Sequence, residues 1–172
     1  FYRAESFNQD LNSWNVSNVT DMNGMFREAT MFNGNISPWN VGNVTDMSHM
    51  FYGASAYTGD NISSWNVSNV TNMSNMFHQA TSFNRSLYNW NVSKVTDMSY
   101  MFRRAESFNQ DLSNWDVSNV TDMNRMFYYA DDFNQDLSGW CVENLSEPTD
   151  FDTGATAWNL PGSRPNWEAV CP

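Results

Sequence analysis

The sequence predicts an α/β repeat solenoid, in which a short strand and a short helix recur along a single chain of 172 residues. Three observations predict this fold. Tryptophans recur every 25 or 26 residues, apolar residues within each repeat follow a helical spacing, and the pattern stops near residue 147. A fixed period of this length is typical of repeats that stack on copies of themselves. The recurring tryptophans are Trp14, Trp39, Trp65, Trp90, Trp115 and Trp140.

The helix is predicted from the apolar residues of the first repeat. Between Val19 and Ala29 these residues are spaced three, three, one and three, which places them on one face of a short helix. Thr20 is a suitable N-cap for this helix, and the carboxylate of Asp21 in the first turn favours it through the helix dipole. Each repeat is therefore expected to contain one short helix.

The strand is predicted from residues 11–16, where polar residues and Trp14 form a short extended segment between turn-forming asparagines and serines. Parallel pairing of six such segments gives a stack of six repeats. The tryptophans then form one column inside the stack, and the methionines and phenylalanines form further columns. We expect this Met-rich and Phe-rich stripe to be core, because it recurs at the same position in every repeat.

The two ends of the sequence depart from the pattern. Pro148 stands where a repeat would have Met, and the following segment is rich in Gly, Pro and Trp, so we predict a repeat domain at 1–147 and a capping segment at 148–172. Phe1 is equivalent to Phe26, so the sequence begins inside a repeat. We expect either a longer polypeptide or self-association at this N-terminal end of the stack.

Composition excludes several function classes. The net charge of −11 argues against nucleic acids and anionic membrane surfaces as partners, because both require a basic footprint. No apolar run approaches the ~20 residues of a membrane span, so we predict no membrane insertion in this segment. The two histidines, His49 and His78, occupy different outward positions of successive predicted helices and have no cysteine near them, and no catalytic motif is present. The chain is therefore predicted not to be an enzyme.

Four acidic residues are weak candidates for a calcium site. Asp97 and Asp122 share one position of the repeat, and Asp111 and Asp136 share another. Carboxylates stacked in this way suit Ca²⁺, which prefers oxygen ligands. They equally suit local capping of backbone N–H groups. Both interpretations stay open, and no other cofactor is predicted.

Two surfaces are candidates for binding a partner. On the outer side of the predicted helices, tyrosine and arginine gather in the last two regular repeats, and these residue types are common anchors of interfaces. They are Tyr100, Arg103, Arg104, Arg125, Tyr128 and Tyr129. The predicted strand face is flatter and rich in asparagine. Its candidates are Asn15, Asn40, Asn66 and Asn91.

The repeat resembles a known family. The segments FNQDLNSWNVSNVTDMNGMFREA at 7–29 and FNQDLSNWDVSNVTDMNRMFYYA at 108–130 are similar to the Met/Trp-rich repeats of BspA-like leucine-rich-repeat surface proteins. Such repeats also occur in mycoplasma lipoproteins and in marine microbes. The resemblance implies a right-handed, leucine-rich-repeat-like solenoid in a secreted or surface protein with a role in adhesion.

Together these observations predict a non-catalytic adhesion or interaction module for a protein or glycan partner, extracellular or on a cell or virion surface. The alternative is a structural building block of a filament, virion or cell-surface assembly. Both cysteines, Cys141 and Cys171, lie near the C-terminal end. Two cysteines in an extracellular protein are expected to pair, so we predict a disulfide between Cys141 and Cys171.

Overall fold

The fold is a stack of repeats built from tight turns. The computed structural model describes residues 1–59 and 62–167. Within these residues there is no helix, and the β-structure consists of isolated parallel bridges. The predicted α/β fold of short helices and strands is therefore wrong. No helix that is long and apolar enough to cross a membrane occurs in the described part of the chain. The bridges join Asp21 to Asp46, Asp46 to Asn72, Asn72 to Asp97, and Asp97 to Asp122.

The apolar spacing that predicts a helix comes from consecutive turns. In each turn a backbone N–H donates to the carbonyl three residues earlier, and most of these turns begin and end at a buried apolar residue. Buried residues therefore recur every three positions, which mimics one face of a helix. In the fourth repeat the turns of this kind are Leu87–Trp90, Val92–Val95, Met98–Met101, Phe102–Ala105 and Ala105–Phe108.

The backbone N–H groups that would form hydrogen bonds within a helix instead bond to the neighbouring repeat. Alternate N–H groups of the first repeat donate to carbonyls of the second, including Gly24 to Ser48 at 2.9 Å and Phe26 to Met50 at 2.9 Å. In an α-helix the same groups would bond to carbonyls four residues earlier in the same segment. Because these donors pair with the neighbouring repeat, no helix forms.

The threonines join repeats and do not cap helices. The N–H of Thr45 donates to the carbonyl of Thr20 at 2.8 Å, and its hydroxyl donates to the same oxygen at 3.1 Å. The pattern repeats from Thr71 to Thr45, from Thr96 to Thr71 and from Thr121 to Thr96. The predicted N-capping role of Thr20 is therefore replaced by pairing between repeats.

Aromatic side chains in columns form the core. Equivalent phenylalanines stack nearly parallel, with ring centroids 5.6 Å apart between Phe26 and Phe51 and 5.7 Å apart between Phe77 and Phe102. A second phenylalanine column packs against the first, at 3.9 Å between Phe77 and Phe83. The methionines and phenylalanines at these positions are almost all buried, which confirms the stripe as core.

The tryptophan column is buried from the second repeat onward. Trp39 and Trp65 stack at 6.3 Å, and the indole N–H of Trp39 donates to the carbonyl of Leu11 at 2.9 Å. Trp14 is the exception, because it is 48% exposed and contacts the Phe1 ring at 5.7 Å. The prediction that Trp14 lies inside is wrong.

The stack continues into the C-terminal segment and then changes its packing. The N–H of Phe127 donates to the carbonyl of Phe151, as in the regular repeats. The Phe151 and Trp158 rings, however, stand at 82° and 78° to the Phe127 ring. A perpendicular ring does not extend a parallel column. The predicted boundary at 147/148 and the capping role of 148–172 stay predictions.

Candidate functional site: an arginine–tyrosine surface

Every repeat contains two residues with a left-handed backbone, four positions apart. The first column of equivalent positions has φ between 53° and 60°, and the second has φ between 53° and 83°. The first column consists of Gly24, His49, Asn75, Tyr100, Arg125 and Asp150. The second consists of Arg3, Glu28, Gly53, Gln79, Arg104, Tyr129 and Gly154.

Large side chains at these positions cost stability. Glycine adopts positive φ without strain, whereas an L-residue in this conformation loses roughly 1–2 kcal/mol. Only three of the thirteen residues in the two columns are glycine. Tyr100, Arg104, Arg125 and Tyr129 are among the bulky ones, so the sequence tolerates strain at the positions that display its arginines and tyrosines.

The predicted arginine and tyrosine residues form one continuous surface. We call Tyr100, Arg103, Arg104, Arg125, Tyr128 and Tyr129 the Arg–Tyr surface. The Arg103 guanidinium lies over the Tyr100 and Tyr128 rings at 6.0 and 5.3 Å from their centroids. Arg104 lies 5.9 Å from the Tyr129 centroid, and the Tyr128 and Tyr129 rings meet edge to face at 4.6 Å. The structure therefore brings all six residues together.

Arg125 is held by a tyrosine and a carboxylate. Its Nη1 donates to the Tyr100 hydroxyl at 3.2 Å, and its Nε and Nη2 donate to Asp150 at 3.0 Å. These hydrogen bonds to Tyr100 and Asp150 raise the pKa of Arg125. Asp150 is not among the predicted site residues, because it follows residue 147, where the sequence repeat ends.

His78 is buried and forms a hydrogen bond with Arg103. It is 4% exposed, and burial, then the charges of Arg103 and Arg104, lower the pKa of His78 to about 3. A neutral imidazole has one donor and one acceptor nitrogen. Nε2 accepts from Arg103 Nη1 at 2.9 Å, so Nδ1 carries the proton and donates to Asn75 Oδ1 at 3.0 Å. The prediction that His78 faces outward is wrong.

The column of equivalent positions that holds His78, Arg103 and Tyr128 extends through the earlier repeats. The Arg27 guanidinium lies between the Tyr2 and Tyr52 rings, at 5.4 and 5.0 Å from their centroids, and Tyr52 meets His78 edge to face at 4.5 Å. The sequence alone did not reveal that these aromatic and arginine side chains form one continuous column. The Asn23–Gly24 pair and Gly53 were the available signal, because glycine at these positions indicates a left-handed turn.

Two arginines of the surface have no carboxylate partner in the described part of the chain. Among the described residues, Arg3, Arg125 and Arg164 each form an ion pair within 3.0 Å. Arg103 and Arg104 form none with the described carboxylates, and Nε of Arg103 is buried without a hydrogen bond. The positive charge of the surface is therefore concentrated on these two guanidiniums.

The predicted asparagine surface is built differently. Asn15, Asn40, Asn66 and Asn91 are all exposed. Each Oδ1 accepts from the backbone N–H two residues later, at 3.1–3.2 Å. The amide oxygen thus stabilises a local turn. These side chains have a structural role, and their binding role stays a prediction.

The calcium candidates also make local turns. Oδ1 of Asp97 accepts from the N–H and hydroxyl of Ser99 at 2.8 and 2.7 Å. Asp111, Asp122 and Asp136 accept from the backbone N–H two residues later, at 2.8–2.9 Å. The hydrogen bonds from Ser138 lower the pKa of Asp136. The described residues hold no group of three or more His, Cys, Asp or Glu arranged for a metal ion. The geometry favours backbone capping over calcium.

The disulfide prediction lies partly outside the described residues. No cysteine among the described residues is free. Cys171 falls within residues 168–172, which are not described. The pairing of Cys141 with Cys171 therefore stays a prediction.

These features define a repeat protein whose turn-built units stack through aromatic columns and carry a charged aromatic surface. A family model described as "Mycoplasma protein of unknown function, DUF285" matches residues 1–63 and, in a second overlapping match, residues 55–164. The chain belongs to this family. No curated protein and no solved structure matches the chain. The resemblance to mycoplasma repeats is thus confirmed at the level of the family, whereas its leucine-rich-repeat part is not.

Proposed function

We propose that the chain is a non-catalytic interaction module of an extracellular or cell-surface protein, and that it binds its partner through the Arg–Tyr surface. The observation that carries this proposal is the left-handed backbone at four of the six residues of the surface. Glycine would avoid the backbone strain at these positions, so we infer that arginine and tyrosine are kept there for contact with a partner.

The rigidity of the surface supports the same proposal. Arginine and tyrosine are common anchors of interfaces. The Arg103 guanidinium is fixed by two tyrosine rings and by His78, so little side-chain freedom is lost when a partner binds. The similarity to BspA-like surface repeats supports an adhesive role and a surface location, without the leucine-rich-repeat fold.

Binding to a panel of cultured animal cells, measured by flow cytometry with labelled protein, tests the proposal. The double variant Arg104→Gly/Tyr129→Gly removes one arginine and one tyrosine from the surface. The matched control is Arg85→Gly/Tyr88→Gly, because both residues are exposed and lie outside the surface. We expect loss of binding for the first variant only. Absence of binding by the unaltered chain, or equal binding by both variants, would overturn the proposal.

The building-block alternative is separated by light scattering. An interaction module should keep the mass of one chain as its concentration rises. A mass that grows with concentration, and does so equally in the Arg104→Gly/Tyr129→Gly variant, would favour assembly through the repeats.

A further inference from the structure

The Arg–Tyr surface is built against the segment that follows the sequence repeat. Residues 149–154 accept backbone hydrogen bonds from two members of the surface. The N–H of Arg125 donates to the carbonyl of Thr149 at 3.0 Å, and the N–H of Tyr129 donates to the carbonyl of Thr153 at 2.9 Å. The last repeat of the surface therefore takes its backbone partners from the C-terminal segment.

The side chains of this segment also contact the surface. Oδ2 of Asp150 accepts from Nε and Nη2 of Arg125, both at 3.0 Å, and Oδ1 of Asp150 accepts from the Thr153 hydroxyl at 3.5 Å. Gly154 lies against the Tyr129 ring, where an added Cβ would lie 2.7 Å away. The segment thus fixes one arginine by an ion pair and leaves space for one tyrosine ring.

The ion pair is connected to the rest of the surface through two tyrosines. The Arg125 guanidinium lies 5.9 Å from the ring centroids of both Tyr100 and Tyr128, and it donates to the Tyr100 hydroxyl at 3.2 Å. The same two rings flank the Arg103 guanidinium, at 6.0 and 5.3 Å. A displaced Arg125 would release both rings, and Arg103 would lose its fixed orientation with them. Contiguous packing of this kind carries an effect from one side chain to the next.

The energetic role of Asp150 lies in orientation. The Arg125 and Asp150 side chains are 37% and 36% exposed, and ion pairs between exposed groups contribute little to stability. Side chains that are already fixed lose less conformational freedom when a partner binds. The ion pair therefore affects binding more than it affects folding.

We infer that Asp150 is a positioning residue of the Arg–Tyr surface. It holds Arg125, and through Arg125 the Tyr100 and Tyr128 rings, in the arrangement that binds the partner. The C-terminal segment thereby completes the surface. This inference rests on the proposed interaction function and concerns the control of the same surface.

The variant Asp150→Asn tests the inference, because it removes the charge and keeps the size of the side chain. We expect about tenfold weaker binding to cells and a nearly unchanged midpoint of urea unfolding. Asp150→Glu keeps the carboxylate and should recover most of the binding. The matched control is Asp152→Asn, which breaks an ion pair of 2.6 Å to Arg164 in the same segment and should bind like the unaltered chain.

NMR of the arginine side chains tests whether the effect reaches Arg103. The Nε–H group of Arg103 is buried, so its resonance reports the local environment. We expect this resonance to shift in Asp150→Asn and to stay in place in Asp152→Asn. An unchanged Arg103 resonance in Asp150→Asn would overturn the positioning role, since an ion pair with a purely local effect leaves Arg103 undisturbed.

The binding results separate failure of this inference from failure of the proposed function. If Arg104→Gly/Tyr129→Gly loses binding while Asp150→Asn binds as well as the unaltered chain or better, the inference is overturned and the interaction function stands. An equal loss in Asp152→Asn would also overturn the inference, because it would indicate a general effect of the segment. Absence of binding by the unaltered chain would overturn both.

Discussion

His78 Nε2 accepts a hydrogen bond of 2.9 Å from Arg103 Nη1, so a buried neutral histidine orients an arginine of the proposed binding surface. The contact requires an unprotonated Nε2. It is maintained at neutral pH because burial, followed by the nearby charges of Arg103 and Arg104, lowers the pKa of His78 to about 3.

This low pKa predicts a pH-dependent loss of stability. In the unfolded chain the pKa of a histidine is about 6.5. Between pH 6.5 and 3 the unfolded state therefore binds more protons at His78 than the folded state, and the free energy of unfolding falls as the pH is lowered. Relative to pH 7, we expect this residue to account for a loss of roughly 2–3 kcal/mol at pH 4.

The variant His78→Gln isolates this contribution, since glutamine offers an acceptor oxygen and does not titrate. Urea unfolding from pH 7 to pH 4 should show a shallower decline for His78→Gln than for the unaltered chain. His49→Gln is the control on the other histidine, whose pKa is also lowered by burial and by Arg27. Equal slopes for His78→Gln and the unaltered chain would contradict the predicted protonation state.

A left-handed backbone in close contact with an aromatic ring predicts that Gly154 does not tolerate a larger residue. Gly154 has φ of 83°, and an added Cβ would lie 2.7 Å from the Tyr129 ring. Gly154→Ala should therefore lower the free energy of unfolding by at least about 1–2 kcal/mol. Gly139→Ala is the matched control, because its added Cβ meets nothing within 4 Å and its φ lies outside the left-handed range. Equal stability of the two variants in urea would contradict the assigned backbone.

The tryptophan column predicts unequal effects of the same substitution. The Trp90 indole donates to the carbonyl of Ile62 at 3.1 Å, whereas Nε1 of Trp65 is buried without a partner. Trp90→Phe removes a hydrogen bond to a carbonyl that also accepts from the N–H of Trp65, whereas Trp65→Phe removes an unsatisfied donor. We expect Trp90→Phe to cost about 1–2 kcal/mol more than Trp65→Phe in denaturant titrations. A larger cost for Trp65→Phe would refute this assignment.

The predicted Cys141–Cys171 disulfide closes a loop of about 30 residues. Its removal by Cys141→Ser should cost about 3–4 kcal/mol on loop-entropy grounds. Intact mass spectrometry of the native chain should show two hydrogens fewer than in the reduced form. Alkylation of both cysteines without prior reduction would disprove the pairing.

The sequence predicts the core of this fold better than its backbone. Met22, Phe26 and Ala29 were assigned to one buried face, and all three are buried. The helix was wrong because a three-residue spacing arises equally from consecutive turns. The choice depends on whether the N–H of Phe26 bonds within its own segment or to Met50, and one repeat read in isolation does not contain that information.

Comparison of equivalent positions in the repeats identifies the candidate site. It does not reveal the left-handed backbone or the buried histidine on which the site depends. Differences between equivalent positions identified Arg104 and Tyr129 as surface residues. Their positive φ was missed because the predicted helix assigned them a right-handed backbone. Burial of His78 was missed for a related reason, since a helical geometry directs its side chain outward.

Paired measurement of stability and binding in Arg104→Gly/Tyr129→Gly tests the central claim most directly. Both residues have φ near 54°. If they are kept for binding in spite of backbone strain, the variant should unfold at the same or a higher urea concentration than the unaltered chain and should lose binding to cells. A variant that is clearly less stable and still binds cells would show that the two side chains only cover the core, which would contradict the account.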